Sequence, residues 1–439
     1  MSKLKTYKFS HLYRMSSGIS SKPEQAGHGS QFVSFKTVFN NYFLPDVLKE
    51  FMDISEKEKE IYSIKKGDIL LTRTSETLDE LGMSCVAVKD YPASSYSGFL
   101  KRLQPTQDDV TYDKFMAFYL RSDLFRKTMT NNSIMTLRAS LNEQIFSYLE
   151  LILPEYKEQK KAGDFLYLLN KKIELNNKIN GELEAMAKTL YDYWFVQFDF
   201  PDANGKPYKS SGGEMVYNVE LKREIPEGWE VKKIKDIATT GSGGTPLKSK
   251  KEFYENGNIP WINSGEVNAP FIISTKKFIT KKGLTGSSAK LFPKGTILMA
   301  MYGATAGQVS LIDIEACTNQ AVCGIIPNDF RLVPYVKFEL HQLYDYLISL
   351  STGSARDNLS QDKIKELFIV MPREDILERF YKFSNSSFEK TLMNLKENQQ
   401  LASLRDWLLP MLMNGQIKVG DVDDALGMVA EGREEYGKE

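Results

Sequence analysis

The sequence predicts an α+β chain in which a globular half followed by a long helix occurs twice, with the two helices pairing as a coiled coil. Three observations lead there. Displacing the chain by 218 positions places Arg138 on Arg356, Leu141 on Leu359, Leu149 on Leu367 and Pro154 on Pro372. A period that long marks a duplicated domain, since solenoid repeats run to about 20–50 residues. Each half is followed by a stretch whose apolar positions alternate by four and three. The two stretches also carry asparagines at matching positions, Asn176 and Asn180 in one, Asn394 and Asn398 in the other.

The first globular half spans 1–154 and ends in LRASLNEQIFSYLELILP, the second spans 226–372 and ends in ARDNLSQDKIKELFIVMP. Each phrase reads as a short helix and then a buried strand stopped by proline. Upstream, KKGDILLTRT from Lys65 resembles PKGTILMAMY from Pro293, so Gly67 matches Gly295. FVSFKTV at Phe32 resembles WINSGEV at Trp261, and Gly18-Ile19-Ser20 resembles Gly244-Thr245-Pro246.

The first helix, 155–198, lacks proline and places Leu169, Ile173, Leu183, Ala187, Leu190 and Trp194 on one seam, with Asn176 and Asn180 filling its gaps. The second, 373–415, repeats the asparagines and adds Leu401, Leu408 and Leu412. A buried asparagine in such a seam fixes register at some cost in stability, so pairing of the helices with each other is the simplest account. The alternative is that each helix packs separately on its own half. Between the repeats, 199–225 is rich in Pro, Gly, Asp and Ser and reads as a surface linker. The segment 416–439 reads as a loosely attached acidic tail.

With 42% apolar and 12% aromatic residues in 439, the chain can bury sizeable cores in two or three domains. Its net charge is zero, but from Asp421 onward seven acids face two bases, a charge of −5, which leaves +5 on residues 1–420. Lysines cluster at 248, 250 and 251 and again at 276, 277, 281, 282, 290 and 294, forming either a basic face or an ordinary solvated one. Cys85, Cys317 and Cys323 form no CxxC pair, which suits buried structural thiols and a cytoplasmic setting. His11, His28 and His341 stand apart, so no zinc site follows from spacing. No apolar run approaches about 18 residues, and MSKLKTYKFS is not a signal peptide.

Catalytic signatures fare poorly. Asn258-Ile259-Pro260-Trp261 is the nearest approach to a methyltransferase base-holding loop, but it lacks the second proline, and Trp261 fits a strand. Gly241-Ser242-Gly243-Gly244 lacks the Gly-Lys-Ser/Thr ending of a phosphate loop. A nuclease pattern can be forced onto Pro201, Asp202, Glu220 and Lys222, within the linker. No catalytic residue and no metal ligand is assigned.

What remains are small-residue polar loops flanked by bases in both halves, GISSKP and TRTSETLDELGM in the first, GSGGTPLKSKK and MYGATAGQ in the second. Small residues let backbone approach a duplex, hydroxyls and cations contact phosphates, and Arg, Asn or Gln read base edges. The candidate DNA-binding residues are Ser20, Lys22, Lys36, Arg73, Thr74, Ser75 and Arg138 in the first half. In the second they are Thr245, Lys248, Lys250, Ser264, Lys290, Tyr302, Thr305 and Arg356. Arg138 and Arg356 would serve either as phosphate contacts or in ion pairs with Glu143 and Asp357. Helix pairing falls to Asn176, Asn180, Leu183, Leu190, Asn394, Asn398, Leu401 and Leu408.

PEGW at Pro226, GSGGTP, NIPWINSGEV, YGATAG, CTNQA and the helix ending LYDYWFVQFDF together resemble the specificity subunits of type I restriction-modification systems, in an order covering nearly the whole chain. The resemblance implies a pseudo-two-fold molecule in which antiparallel helices separate two target-recognition domains that read a bipartite double-stranded DNA target. It implies two methyltransferase subunits and motor-nuclease subunits as partners. S-adenosylmethionine, ATP and Mg would sit on those partners, and no cofactor on this chain. Two departures stand out: the first half opens YKFSHLYRMSSGIS without PEGW, and the second helix has Ser387, Thr391 and Arg405 at seam positions. Two other classes stay open, a single-chain modification or restriction enzyme and a coiled-coil protein scaffold.

Overall fold

The computed structural model describes residues 3–20, 22–75, 81–132, 134–135, 139–140, 143–344 and 359–420. The chain forms two compact units, Met1–Glu174 with Gln399–Glu439, and Leu175–Asn398. In the first unit the framework strands are β1 (Lys5–Lys8), β2 (Tyr13–Ser17), β3 (Ala26–Val33), β4 (Ile69–Thr72), β5 (Ser84–Val86), β6 (Ser95–Tyr96), β7 (Leu100–Pro105) and β8 (Glu150–Leu153). Their counterparts in the second are β9 (Glu230–Lys233), β10 (Ala238–Ser242), β11 (Ile259–Ile262), β12 (Ile297–Ala300), β13 (Val309–Ile312), β14 (Ala316–Thr318), β15 (Val322–Pro327) and β16 (Phe368–Met371).

Pairing repeats strand for strand. The central antiparallel sheet runs β2-β7-β4-β5 in one unit and β10-β15-β12-β13 in the other, where Phe271–Ile272 adds a parallel edge. Strand β3 lies parallel to β6, and β11 parallel to β14. Strand β1 pairs with β8 so that Lys8 opposes Glu150, and β9 pairs with β16 so that Lys233 opposes Phe368. The first half therefore has the same opening strand as the second, without PEGW before it.

The apolar runs explain the central strands. Ile69 and Leu71 face a core with Phe115, Phe118 and Leu166, while Leu70 faces the opposite core with Val33, Cys85 and Tyr96. In the second unit Ile297 and Met299 divide from Leu298 and Ala300 in the same way. A strand covered on both faces requires such an uninterrupted run. The entering turn needs positive φ, which Gly67 supplies at +88° and Gly295 at +86°. Their N–H groups donate to Ala87 O and Ile312 O, both at 2.8 Å. All three cysteines are free and buried, and burial pushes the Cys85 and Cys323 thiols up to about 12.

The first long helix runs Tyr156–Tyr191 and continues as a π-turn over Asp192–Val196; the second runs Glu374–Met413. Both units take an end from each helix. Ala162 and Leu166 join Leu408, Leu409 and Leu412 in the first unit's core, and Ala187, Tyr191 and Trp194 join Ile376, Phe380 and Phe388 in the second's. Each end thus packs on a globular core as well as facing the other helix. In the second helix the buried positions Phe380, Ser384, Ser387, Thr391 and Asn394 keep the four-three spacing. Ser387 and Thr391 fit there because their hydroxyls donate to Phe383 O and Ser387 O, four residues back. Arg405 stacks its guanidinium 4.9 Å from the Tyr42 ring. In the first helix, burial falls on Leu166 and Asn170, while Leu169 is half-buried.

The stretch 199–225 differs from a surface linker. Met215–Asn218 and Arg223–Pro226 form a hairpin, and Phe198, Phe200 and Ile225 are buried, Phe200 stacking on Trp229 at 4.9 Å. Its Pro, Gly and Asp residues report turns, such as the one in which the Asp202 carboxylate accepts from the N–H groups of Asn204 and Lys206. The aromatic anchors between those turns hold the segment on the core.

Candidate nucleic-acid interface

Three loops meet at one end of each central sheet: the exit of β2 or β10, the hairpin joining β4 to β5 or β12 to β13, and the entry to β7 or β15. The same backbone bonds hold them in both units. Ile19 N–H donates to Tyr96 O and Gly244 N–H to Thr318 O, each at 2.9 Å. Arg73 N–H donates to Phe99 O and Met301 N–H to Ala321 O, each at 2.8 Å. The hairpins close through Gly82 N–H to Thr72 O at 3.0 Å and Gly307 N–H to Ala300 O at 2.8 Å. The sheet register pairs Ser17 with Lys101 and Ser242 with Cys323, so Gly18 corresponds to Gly243. That corrects the match of Gly18 to Gly244 by one residue and makes Ser20 the counterpart of Thr245. Glycine is required at both: a Cβ would lie 2.2 Å from Ser97 O at Gly18 and 2.1 Å from Thr318 O at Gly243.

In the second unit the structure gathers several of the predicted residues. Thr245 donates to Gln320 Oε1 at 2.5 Å, and Thr305 donates to Ser264 O at 2.9 Å, with half-buried Tyr302 on the same hairpin as Thr305. Gln320 was not singled out by sequence, although it lies within CTNQA. Lys248, Lys250 and Lys290 are exposed, and Lys250 lies 5.0 Å over the Phe253 ring. Lys248, Lys251 and Lys277 fringe an open groove of about 520 Å³ that also includes Tyr254, Trp261 and Phe278. Trp261 is a strand residue whose Nε1 donates to Gly244 O at 3.1 Å, so it braces the lysine-bearing loop. Among the described residues, Lys248, Lys250, Lys251, Lys276, Lys277, Lys281, Lys282 and Lys290 make no ion pair. Lys294 is different, being bound to Asp313 at 2.7 Å.

In the first unit Ser20, Lys22 and Arg73 are exposed around the corresponding loops, and Lys36 is exposed on the short helix Phe35–Asn40 after β3. Thr74–Ser75 extends the hairpin as a strand paired with Ala139–Ser140. Arg138 and Arg356, with Asp357, lie outside the described residues. Sequence reasoning also passed over Phe99, because nothing in a pattern distinguishes an exposed phenylalanine from a core one.

Behind the sheet of the second unit, Lys337 is only 5% exposed and is ringed by Phe271, Phe338 and Phe388 at 5.1, 5.3 and 5.5 Å. Burial lowers its ammonium to about 8, partly offset by Glu184. Asp313, whose side chain is 3% exposed, binds Lys294 and also Lys396 of the second helix at 2.5 Å. Burial pushes its carboxyl up, but the two lysines outweigh that and hold it below the usual carboxylate range.

The four seam asparagines come together within the second unit. Asn176 Nδ2 donates to Asn398 Oδ1 at 2.9 Å and to Glu397 Oε2 at 2.7 Å, Asn394 Nδ2 donates to Asn180 Oδ1 at 2.8 Å, and Asn398 Nδ2 donates to Asn177 Oδ1 at 2.8 Å. Numbers rise along one helix as they fall along the other, so the pair is antiparallel. Leu183, Leu190 and Leu401 are half-buried, and Leu408 is fully buried in the first unit's core.

The type I restriction modification DNA specificity domain matches residues 20–185 and 226–401. This chain belongs to that family. The second match takes in the whole three-loop edge, the central sheet and part of the helix that follows, while the first begins at Ser20, just past β2, and takes in the rest of the corresponding sheet and part of its helix. The type I restriction enzyme HindI specificity subunit of Haemophilus influenzae is 29% identical, covering 88% of this chain and 94% of its own length. The MjaIX specificity subunit of Methanocaldococcus jannaschii is 25% identical, covering 83% and 81%. The crystal structure of the S subunit of a type I system from M. genitalium shares the fold, with a TM-score of 0.58 at 15% identity over 94% of this chain and 96% of that one. No described helix is long and apolar enough to cross a membrane.

Proposed function

We propose that this chain is the non-catalytic, sequence-reading subunit of a cytoplasmic type I restriction-modification complex. Each specificity domain reads one half of a bipartite double-stranded DNA target, and the paired helices set the unread spacer. The observation that carries this reading is the three-loop edge, built twice with the same backbone bonds and flanked by bases, in the second domain by Lys248, Lys250, Lys251 and Lys290, which make no described ion pair. Hydroxyl, amide and basic side chains on such loops suit phosphate contact and base-edge readout. Two methyltransferase subunits supply S-adenosylmethionine chemistry, and motor-nuclease subunits use ATP and Mg.

The test is co-purification with the methyltransferase followed by mapping of methylated adenines. The assembled complex is expected to methylate a bipartite motif, and the isolated chain to transfer no methyl group. Methyl transfer by the chain alone, or methylation by the complex without sequence limits, would overturn the reading.

A further inference from the structure

Phe99 is 62% exposed, and the backbone that carries it is closely held. Ser97 N–H donates to Val33 O at 3.0 Å, Gly98 N–H to Ile19 O at 2.7 Å and Phe99 N–H to Ser97 Oγ at 3.2 Å, while Phe99 O accepts from Arg73. Single exposed apolar residues are common on protein surfaces and need no explanation by themselves. This one projects from the three-loop edge between exposed Arg73 and exposed Ser20, at the position that the second domain fills with buried Ala321 beside Gln320.

We propose that Phe99 is a specificity-determining residue of the first domain, packing on the 5-methyl group of a thymine in the major groove. The two domains then read by different chemistry, the first through an apolar contact and the second through the Thr245–Gln320 pair and its lysines. The inference rests on the proposed division of the target into half-sites. Thymine is the base whose major-groove edge carries a methyl group, and an apolar side chain is its natural partner. The closely held backbone matters because it fixes where the ring is presented to the groove.

The experiment uses the assembled methyltransferase complex with wild-type chain, F99A or F99L, on duplexes in which each thymine of the mapped motif is replaced in turn by uracil. That replacement removes the methyl group alone. One thymine, in the half-site that T245V leaves unchanged, is expected to show about fourfold weaker wild-type binding as uracil, the value of roughly one buried methyl-sized group. F99A should be indifferent at that position, and F99L should recover part of the response. The absence of any Phe99-dependent uracil effect, or its appearance in the other half-site, overturns the proposal. A wild-type complex that methylates a bipartite motif yet shows no such effect sinks this inference alone. A complex without sequence-limited methylation sinks the reading beneath it.

Discussion

Asn176 donates to Asn398 across the antiparallel helix pair at 2.9 Å, in a seam where Asn176 is only 1% exposed. With Asn394 bonded to Asn180 at 2.8 Å, the two contacts define one register. Removing Asn398 leaves one of the two Asn176 amide hydrogens without its acceptor, the other staying on Glu397, and frees Asn177 Oδ1, so N398A should lower stability by about 1–3 kcal/mol. Replacing both by leucine removes the unsatisfied group, and N176L/N398L should recover that loss, at the cost of register specificity. Chemical denaturation of the two variants decides. A single variant as stable as wild type would show that the amides do not contribute.

Asp313 joins the second domain to the second helix through Lys396. Its carboxyl titrates below the ordinary value in the folded state, so the stabilisation is present above about pH 4 and is lost as pH falls through the folded value. At pH 7, D313N should cost about 1–3 kcal/mol, with both lysine contacts weakened. The difference should shrink in acid. Thermal melts of both proteins between pH 3 and pH 7, the range that about spans the carboxylate transition, test the sign.

Lys337 has the opposite sense. Three aromatic rings attract its ammonium by about 0.5–2 kcal/mol, yet burial still lowers the folded value to about 8, so desolvation wins. The penalty is complete below the folded value and fades as pH rises towards about 10.4, where the unfolded lysine also loses its proton. K337M should therefore be more stable than wild type at pH 7, by up to about 3 kcal/mol, with the gap closing in alkali. A methionine variant that is less stable at neutral pH would mean that the cage holds the cation favourably.

Much of the framework was legible because its causes are local. Uninterrupted apolar runs at Ile69 and Ile297, each led by a glycine at positive φ, specify a strand buried on both faces, and the shared asparagines specify a helix pair. What escaped depends on contacts distant in sequence. The one-residue misplacement of Gly18 arose because only sheet pairing, Ser17 with Lys101 and Ser242 with Cys323, shows which glycine meets the facing carbonyl. Phe200 and Ile225 in the supposed linker are anchored by Trp229, and Leu166 replaced Leu169 as a buried position because the helix end turns towards Phe115 and Phe118. Lysine runs told charge but not commitment, which is why Lys294 belongs to Asp313 while its neighbours stay unpaired.

The loops should divide recognition cleanly. Thr245, Lys248 and Tyr302 lie on the second domain's edge, so substituting them should alter one half of the methylated motif and leave the other intact. Loss of Lys248 should chiefly weaken binding to all sequences and reduce the salt slope by about one unit if it holds a phosphate. Methylome mapping and a salt titration separate these effects. Simultaneous change in both half-sites would argue against modular readout.

Helix length should set the spacer. Shortening one helix alone would leave an unmatched seam, so the informative variant removes a heptad from each, Leu169–Leu175 and Gln399–Arg405, which face each other at the observed register. Seven residues preserve the seam's phase and shorten the pair by about 10 Å, close to three base-pair steps of B-DNA. All four seam asparagines and the Asp313–Lys396 contact survive. Lost contacts such as Arg405 over Tyr42 should lower stability modestly. If the assembled complex then methylates the same half-sites with a spacer about three base pairs shorter, the helices act as a ruler. Unchanged spacing with altered half-site bases would mean that the helices take part in sequence readout, and the division of labour between domains and helices would fail.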